Sequence, residues 1–356
     1  NVTEMDVFSG IPEYVKNIIM AGDDSFDAYY MSAYLTGPMI VENLFVDLYS
    51  VDELNFDKPW WDTRTRDYYE VNGKLYMAHG SGQINYFDML WGIYFNKQMV
   101  EDLRHPDKEV KIALVGKYTA LHDAYISVVE ALKHGGIPEH TTVDIKWVDS
   151  EELNDDNAAE VFKGIQGIIV PGGFGDRGVE GMIAAAKYAR ENNIPYLGLC
   201  LGMQVAIIEY ARHVCMFHDA HSIELDPNTT HPVIALMPDQ NGIEDIGGTL
   251  RLGAYPCVLA KNSLAHSLYG TDNISERHRH RYEVNNDFRA VLTEKGLLLS
   301  GTSPDNRIVE MCELPGHPFY IATQGHPELK SRPNRPHPLF RGLIKAALKH
   351  KDNKDK

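Results

Sequence analysis

The larger part of this sequence predicts an α/β fold: a parallel sheet with helices on both faces, followed by an antiparallel extension and preceded by an incomplete α/β fragment. Three observations predict it. From Val110 onward, short apolar runs alternate with stretches of helical period. A glycine-rich turn, "PGGFGDRG", joins one apolar run directly to one such stretch. Past Pro232 the apolar runs come closer together, with turns in place of helices between them.

Each element has its own signal. "VKIALVGKY" reads as a buried strand because it is nearly continuous in apolar residues, and "LHDAYISVVEALKHGG" reads as a helix with a glycine stop. "TTVDIKWV" and "GIQGIIV" read as strands. A helix is expected over 179–192, then the strand "PYLGLC" and the helix "LGMQVAIIEYAR". The extension is expected in "PVIALM", "GGTLRLGAYPCVL", "GLLLSGT", "IVEMCEL" and "FYIATQ", before a last helix over 338–348. The charged end, 349–356, is expected to be a disordered tail.

Composition bounds the function. The chain has 356 residues, 44% hydrophobic and 24% charged, which is a globular balance with room for two domains. A net charge of −16 excludes a general nucleic-acid binder, which needs cations to displace phosphate counterions, and leaves small ligands open. No apolar run has the length of a membrane span, and the N-terminus has neither a signal-peptide pattern nor a Met, so the chain reads as a fragment or processed product of a cytoplasmic protein. Its four cysteines, Cys200, Cys215, Cys257 and Cys312, are widely spaced with no CxxC or Cys/His cluster, so no metal is expected and a reducing compartment fits.

The glycines at 173, 175 and 178 match a dinucleotide-binding turn on pattern alone. That reading needs an acidic residue at the end of the next strand to hold a ribose. The strand ends instead in "GLCLG". "VGKYT" fails as a phosphate loop too, lacking the upstream glycine and the hydroxyl after Lys117. What "GLCLG" does match is a nucleophile elbow, in which flanking glycines permit a sharp strand-to-helix turn. There the helix dipole and free N–H groups favour a thiolate. A base is available in "QGHPEL", where His326 and Glu328 stand two apart at the end of an apolar strand, so that the carboxylate can hold the imidazole in a serviceable tautomer.

"PGGFGDRG", "GLCLGMQ" and "QGHPE", in this order, resemble the class I glutamine amidotransferases. Within them, "KIALVGKYTALHDAYISVVEALKHGG", "GGTLRLGA" and "ERHRHRYEVNN" resemble the glutaminase domain of CTP synthase, over 104–348. The resemblance implies a flavodoxin-like three-layer domain with a Cys200, His326, Glu328 triad. It implies that "PGGFG" is an oxyanion loop, with Gly173 supplying an N–H. It places L-glutamine contacts on Gly173, Leu201, Gly202, Met203, Gln204, Glu224 and Arg281. Opposite charges at Glu224 and Arg281 suit the ammonium and carboxylate of a free amino acid. No cofactor is implied for glutamine hydrolysis. ATP, Mg and GTP are implied only for the full-length family enzyme, which aminates UTP to CTP in a synthetase domain and forms homo-oligomers. Two segments depart from the family's pattern: "CMFHDAHS" at 215–222, just ahead of Glu224, and Gly325, where many relatives carry an aromatic and an emptied side-chain site is expected.

Residues 1–103 are of a different character. They hold seventeen acidic against six basic residues, with aromatic clusters such as "KPWWDTRTRDYY". Nothing there resembles a synthetase domain, so glutamine hydrolysis is the most this chain is expected to catalyse. "MDVFSGIPEYVKNIIMAGDDSFDAYY", "FDKPWWD", "VNGKLYMAHG" and "IYFNKQMVEDL" resemble part of an extracellular solute-binding protein of sugar ABC transporters. So short a piece lacks most of its core partners, which reads as a joined gene fragment, natural or artefactual. The competing expectation is a sugar-binding module fused to an inactive amidotransferase domain.

Overall fold

The structure is a computed structural model and describes residues 16–17, 19–20, 28–32, 39–42, 44–51, 54–58, 70–76, 91–95, 104–119, 121–236 and 251–354. The chain divides into two compact units, Asn1–Pro106 with Pro333–Arg335, and Asp107–Arg332 with Pro336–Lys356.

In the first unit, Ala28–Ser32 pairs antiparallel with Trp91–Phe95. A hairpin joins Glu70–Val71 to Lys74–Leu75 through Asn72 and Gly73, both at positive φ (55° and 75°), as a two-residue Asn-Gly turn requires. Val46, Leu48 and Leu75 form a small cluster, and Asp47 accepts from the Leu75 N–H at 3.0 Å. Most of the stretches that resemble a solute-binding protein lie outside the described residues.

The second unit is built on a nine-stranded sheet. Its strands are β1 (Lys108–Gly116), β2 (Thr141–Asp149), β3 (Gly167–Val170), β4 (Tyr196–Leu199), β7 (Arg251–Leu259), β8 (Asn273–His280), β10 (Leu298–Thr302), β11 (Val309–Glu313) and β12 (Tyr320–Thr323), and their spatial order is 8-7-10-11-12-4-3-1-2. Strands 12, 4, 3, 1 and 2 run parallel, and strands 11, 10, 7 and 8 extend the sheet antiparallel from β12. Because strand side chains alternate between faces, Ile112 and Leu114 of β1 pack on one side and Ala113 and Val115 on the other. The first side is covered by helices α1 (Ile126–Gly136) and α7 (Pro338–Lys354), through Val128, Leu132, Phe340 and Leu343. The second is covered by α3 (Val179–Glu191) and α4 (Leu201–His213), through Met182, Ile183, Val205 and Ile207. No described helix is long and apolar enough to cross a membrane.

Three elements differ from the sequence-based expectation. "PVIALM" does not join the main sheet: Pro232–Ala235 lies between His221–Ser222 and Glu283–Val284 in a separate three-stranded sheet. β8 was not expected as a strand, because its alternation puts charged Arg277 and Arg279 outward and His278 and His280 inward, with no apolar face to read. The expected disordered tail is helix as far as Lys354. Its basic residues Lys351 and Lys354 suit the negative helix C-terminus, and the Lys351 ammonium donates to the Glu109 carbonyl at 2.8 Å.

Candidate active site

The central strands β3, β4 and β12 are neighbours in the sheet, and the residues that follow each of them meet. After β4 the chain turns sharply into α4 at Cys200, whose φ of 52° and ψ of −103° are unusual for a residue with a β-carbon. The flanking glycines explain how the turn is packed. A β-carbon at Gly202 would collide with the Val170 carbonyl, and one at Gly198 would stand 2.5 Å from the Gly202 carbonyl oxygen. Cys200 is held by its N–H donating to the Thr323 carbonyl (2.8 Å) and its carbonyl accepting from Met203 and Gln204 (3.0 and 3.2 Å). The N–H groups of Leu201 and Gly202, in the first turn of α4, have no helical carbonyl to bond.

His326 follows β12, pinned by its N–H to the Arg277 carbonyl of β8 at 2.7 Å. Its Nδ1 is 2.7 Å from Glu328 Oε1, while Nε2 is buried without a hydrogen-bond partner. Burial works against the imidazolium, but the attraction of Cys200 and the hydrogen bond to Glu328 outweigh it and raise the His326 pKa to about 10. The other three cysteines have no such partner. Burial pushes the Cys215 thiol up, and the Cys257 and Cys312 thiols to about 12.

The loop after β3 closes the site. A β-carbon at Gly172 would stand 3.0 Å from His326 Cε1 and 3.4 Å from Cys200 Cβ, so the loop backbone passes directly against the pair. The next turn is fixed by Lys117, the lysine of "VGKYT", in a role that its failed phosphate-loop pattern does not announce. Its ammonium, 3% exposed as part of the residue, donates to the carbonyls of Phe174 (3.1 Å) and Gly175, and its stem lies against Gly173. Burial lowers the Lys117 pKa, against the attraction of Asp176.

The residues expected to contact glutamine fall into two groups. Gly173 lines the same pocket as Cys200, and Leu201 to Gln204 form the first turn of the helix that Cys200 starts, but the Gln204 side chain is turned inward, its Nε2 3.2 Å from the Tyr282 carbonyl oxygen. Glu224 lies within electrostatic reach of both Arg281 and Lys117. Glu224 is solvent-accessible, yet desolvation raises its pKa against the attraction of Lys117 and Arg281. Arg281 Nε is buried without a hydrogen-bond partner. A pocket of about 230 Å³ opens at the triad, lined by Tyr118, Gly173, Phe174, Cys200, Arg279 and His326 and not by Glu224 or Arg281.

The two departures from the family have structural consequences. In 215–222, Asp219 binds the Thr230 N–H (2.7 Å) and His231 Nδ1 (2.5 Å), which closes a loop around Glu224. The space at Gly325 is not empty, contrary to expectation: a β-carbon there would meet Glu276 Cβ at 3.0 Å, because β8 approaches closely.

Comparison with known proteins gives this arrangement a family. The model for glutamine amidotransferase class-I matches residues 120–346. The chain belongs to the class I glutamine amidotransferases. Its amidotransferase domain is 60% identical over 259 residues to CTP synthase of Clostridium beijerinckii, covering 73% of this chain and 48% of that protein. It is 55% identical over 258 residues to CTP synthase of Staphylococcus aureus, covering 72% and 48%. The chain thus spans about half the length of the curated relatives it matches. Among solved structures, the domain is similar to the glutaminase domain of Trypanosoma brucei CTPS with bound acivicin, at 42% identity and a TM-score of 0.64, covering 67% of this chain and 94% of that one.

Proposed function

We propose that this chain hydrolyses L-glutamine to glutamate and ammonia, as the glutaminase part of a CTP synthase. The observation that carries the proposal is Cys200 at a strained strand-to-helix turn beside an imidazole held by Glu328 at 2.7 Å. The Cys200 thiolate attacks the side-chain amide carbon of glutamine. Backbone N–H groups of the Gly173 loop and of Leu201 receive the oxyanion, each such donor being worth about 3 kcal/mol of barrier. His326, protonated and oriented by Glu328, gives its proton to the departing nitrogen, and ammonia leaves a γ-glutamyl thioester. The now neutral His326 takes a proton from water, whose oxygen attacks the thioester and expels the Cys200 thiolate, and the product acid passes its proton to solvent as glutamate. Glu224 and Arg281 are proposed to hold the ammonium and carboxylate of the substrate, and none of these steps calls on a metal or redox cofactor.

In the whole protein, the ammonia would aminate UTP with ATP, Mg and GTP, in the cytoplasm. This chain alone is expected to form no CTP from UTP and ATP even with free ammonia, since no residue here is assigned to that chemistry. The solute-binding resemblance of residues 1–103 rests on their sequence alone, and no sugar site is proposed for them.

The test is labelling with a glutamine-mimicking diazo-ketone, followed by mass spectrometry of the adduct. Modification is expected on Cys200. Labelling of Cys215, Cys257 or Cys312 with Cys200 untouched would overturn the reading.

A further inference from the structure

Gln324 stands between β12 and His326 and is fully buried (0% exposed). Its backbone N–H donates to the Glu310 carbonyl at 2.9 Å, so the strand beside it fixes its position. Its side-chain amide lies between two groups, with Cys200 Sγ at 3.6 Å and the Gln204 amide at 3.4 Å.

Which end of that amide faces the sulfur is settled by a third group. The Tyr282 carbonyl, 3.2 Å from Gln204, can only accept, so Gln204 must present its NH2 there. The same NH2 group is the one that reaches Gln324, which must therefore answer with its oxygen. The NH2 of Gln324 is left facing Sγ. One backbone carbonyl thus sets the polarity of a buried relay that ends on the sulfur.

We propose that Gln324 is a catalytic hydrogen-bond donor to the Cys200 thiolate. This rests on Cys200 being the nucleophile. The thiolate then has the His326 imidazolium as its counter-charge and the Gln324 amide as its hydrogen-bond donor. His326 gives up its proton during the reaction, whereas the amide keeps its own throughout. When the sulfur bonds to the amide carbon its negative charge passes to the oxyanion, and the contact with the Gln324 amide weakens from that step until the thioester is hydrolysed. Deacylation restores the thiolate and with it the contact. Gln324 therefore favours the free nucleophile and holds the sulfur in one orientation between turnovers. It also accounts for the inward turn of Gln204, whose side chain orients this amide.

The test uses the full chain and two substitutions: Gln324→Met, similar in length with no donor, and Gln324→Glu, isosteric but facing the sulfur with an acceptor. Iodoacetamide modification of Cys200 is followed by mass spectrometry across pH, with KM for glutamine and near-ultraviolet circular dichroism alongside. In Q324M the modification rate at neutral pH is expected to fall about tenfold, the effect of one hydrogen bond to a charged group. The pH profile should move to higher pH, with KM little changed. Q324E is expected to fall further, because a second carboxylate repels the thiolate. Folded variants with the unaltered chain's pH profile would overturn the proposal. Should both variants fail to fold, nitrogen-15 glutamine labelling of the unaltered chain decides. The Gln324 amide resonance should shift when Cys200 is alkylated, and an indifferent resonance would overturn the proposal. If Cys200 of the unaltered chain reacts no faster than Cys215, the nucleophile assignment itself falls, and this inference with it.

Discussion

Replacing Lys117 with Met should slow glutamine turnover about a hundredfold while leaving the fold intact. Lys117 touches no expected substrate atom, but its buried ammonium holds the carbonyls of Phe174 and Gly175 and so fixes the turn that presents Gly173. Hydrogen bonds to a charged group contribute about 1.5 kcal/mol each at the lower end, or about 3 kcal/mol for two. Since 1.36 kcal/mol is a factor of ten, a loop released by that amount costs about two decades in rate. The loss should fall on kcat and not on KM, because an oxyanion donor acts mainly in the transition state. Steady-state glutamate release by the purified variant measures both. Burial lowers the Lys117 pKa, so the unaltered chain should lose activity on the alkaline side at a pH below the ordinary lysine value of 10.5. K117M should lose that part of the alkaline fall and keep only the part set by His326, whose pKa is about 10. A variant that keeps kcat within a factor of two would refute the claim that Lys117 holds the loop.

Gly202→Ala should destabilise the domain by about 3 kcal/mol or more, because the new methyl meets the Val170 backbone carbonyl and not a flexible side chain. Calorimetry should show Tm lowered by roughly 6–12 °C, and an unchanged Tm would mean that the elbow can open. The pH dependence of stability should carry the signature of His326. Its folded pKa of about 10 lies above the ordinary 6.5, so its stabilisation is complete below about 6.5 and lost as pH rises toward 10. Thermal melts across that window should slope downward in the unaltered chain and lose part of that slope in His326→Asn.

Much of the parallel half of the sheet was legible in the sequence, because strands buried on both faces must be apolar throughout, as "KIALVG" and "GIIV" are. β8 was hidden because what lines its inner face is polar. His280 bonds Glu283 at 2.7 Å, and Arg251 bonds Glu283 and Glu310, so a buried ionic network stands where a hydrophobic stripe would have been read. "PVIALM" was misplaced because an apolar run says that a strand is buried but not which strand it pairs with. In the site, Cys200 and His326 were legible from glycine spacing and a His-x-Glu pair, whereas Glu224 and Arg281 came only through a family resemblance. Lys117 and Gln324 both stand in stretches that the sequence offered, "VGKYT" and "QGHPEL", but their roles were not legible, because each acts through a contact across the fold, to Phe174 and to Cys200.

The pairing of β4 with β12 also sets when the site can first exist. Those strands lie side by side in the sheet, but the cysteine follows one and the histidine follows the other, with the entire antiparallel extension between them in the chain. Such a contact forms late, since a long loop must close before it is rewarded. A chain emerging from the ribosome carries the cysteine well before it carries the imidazole, and until Glu328 has been made and β12 has docked there is no base to complete the reaction. Ammonia release in a refolding experiment should accordingly lag behind the recovery of helical signal and keep time with closure of the sheet.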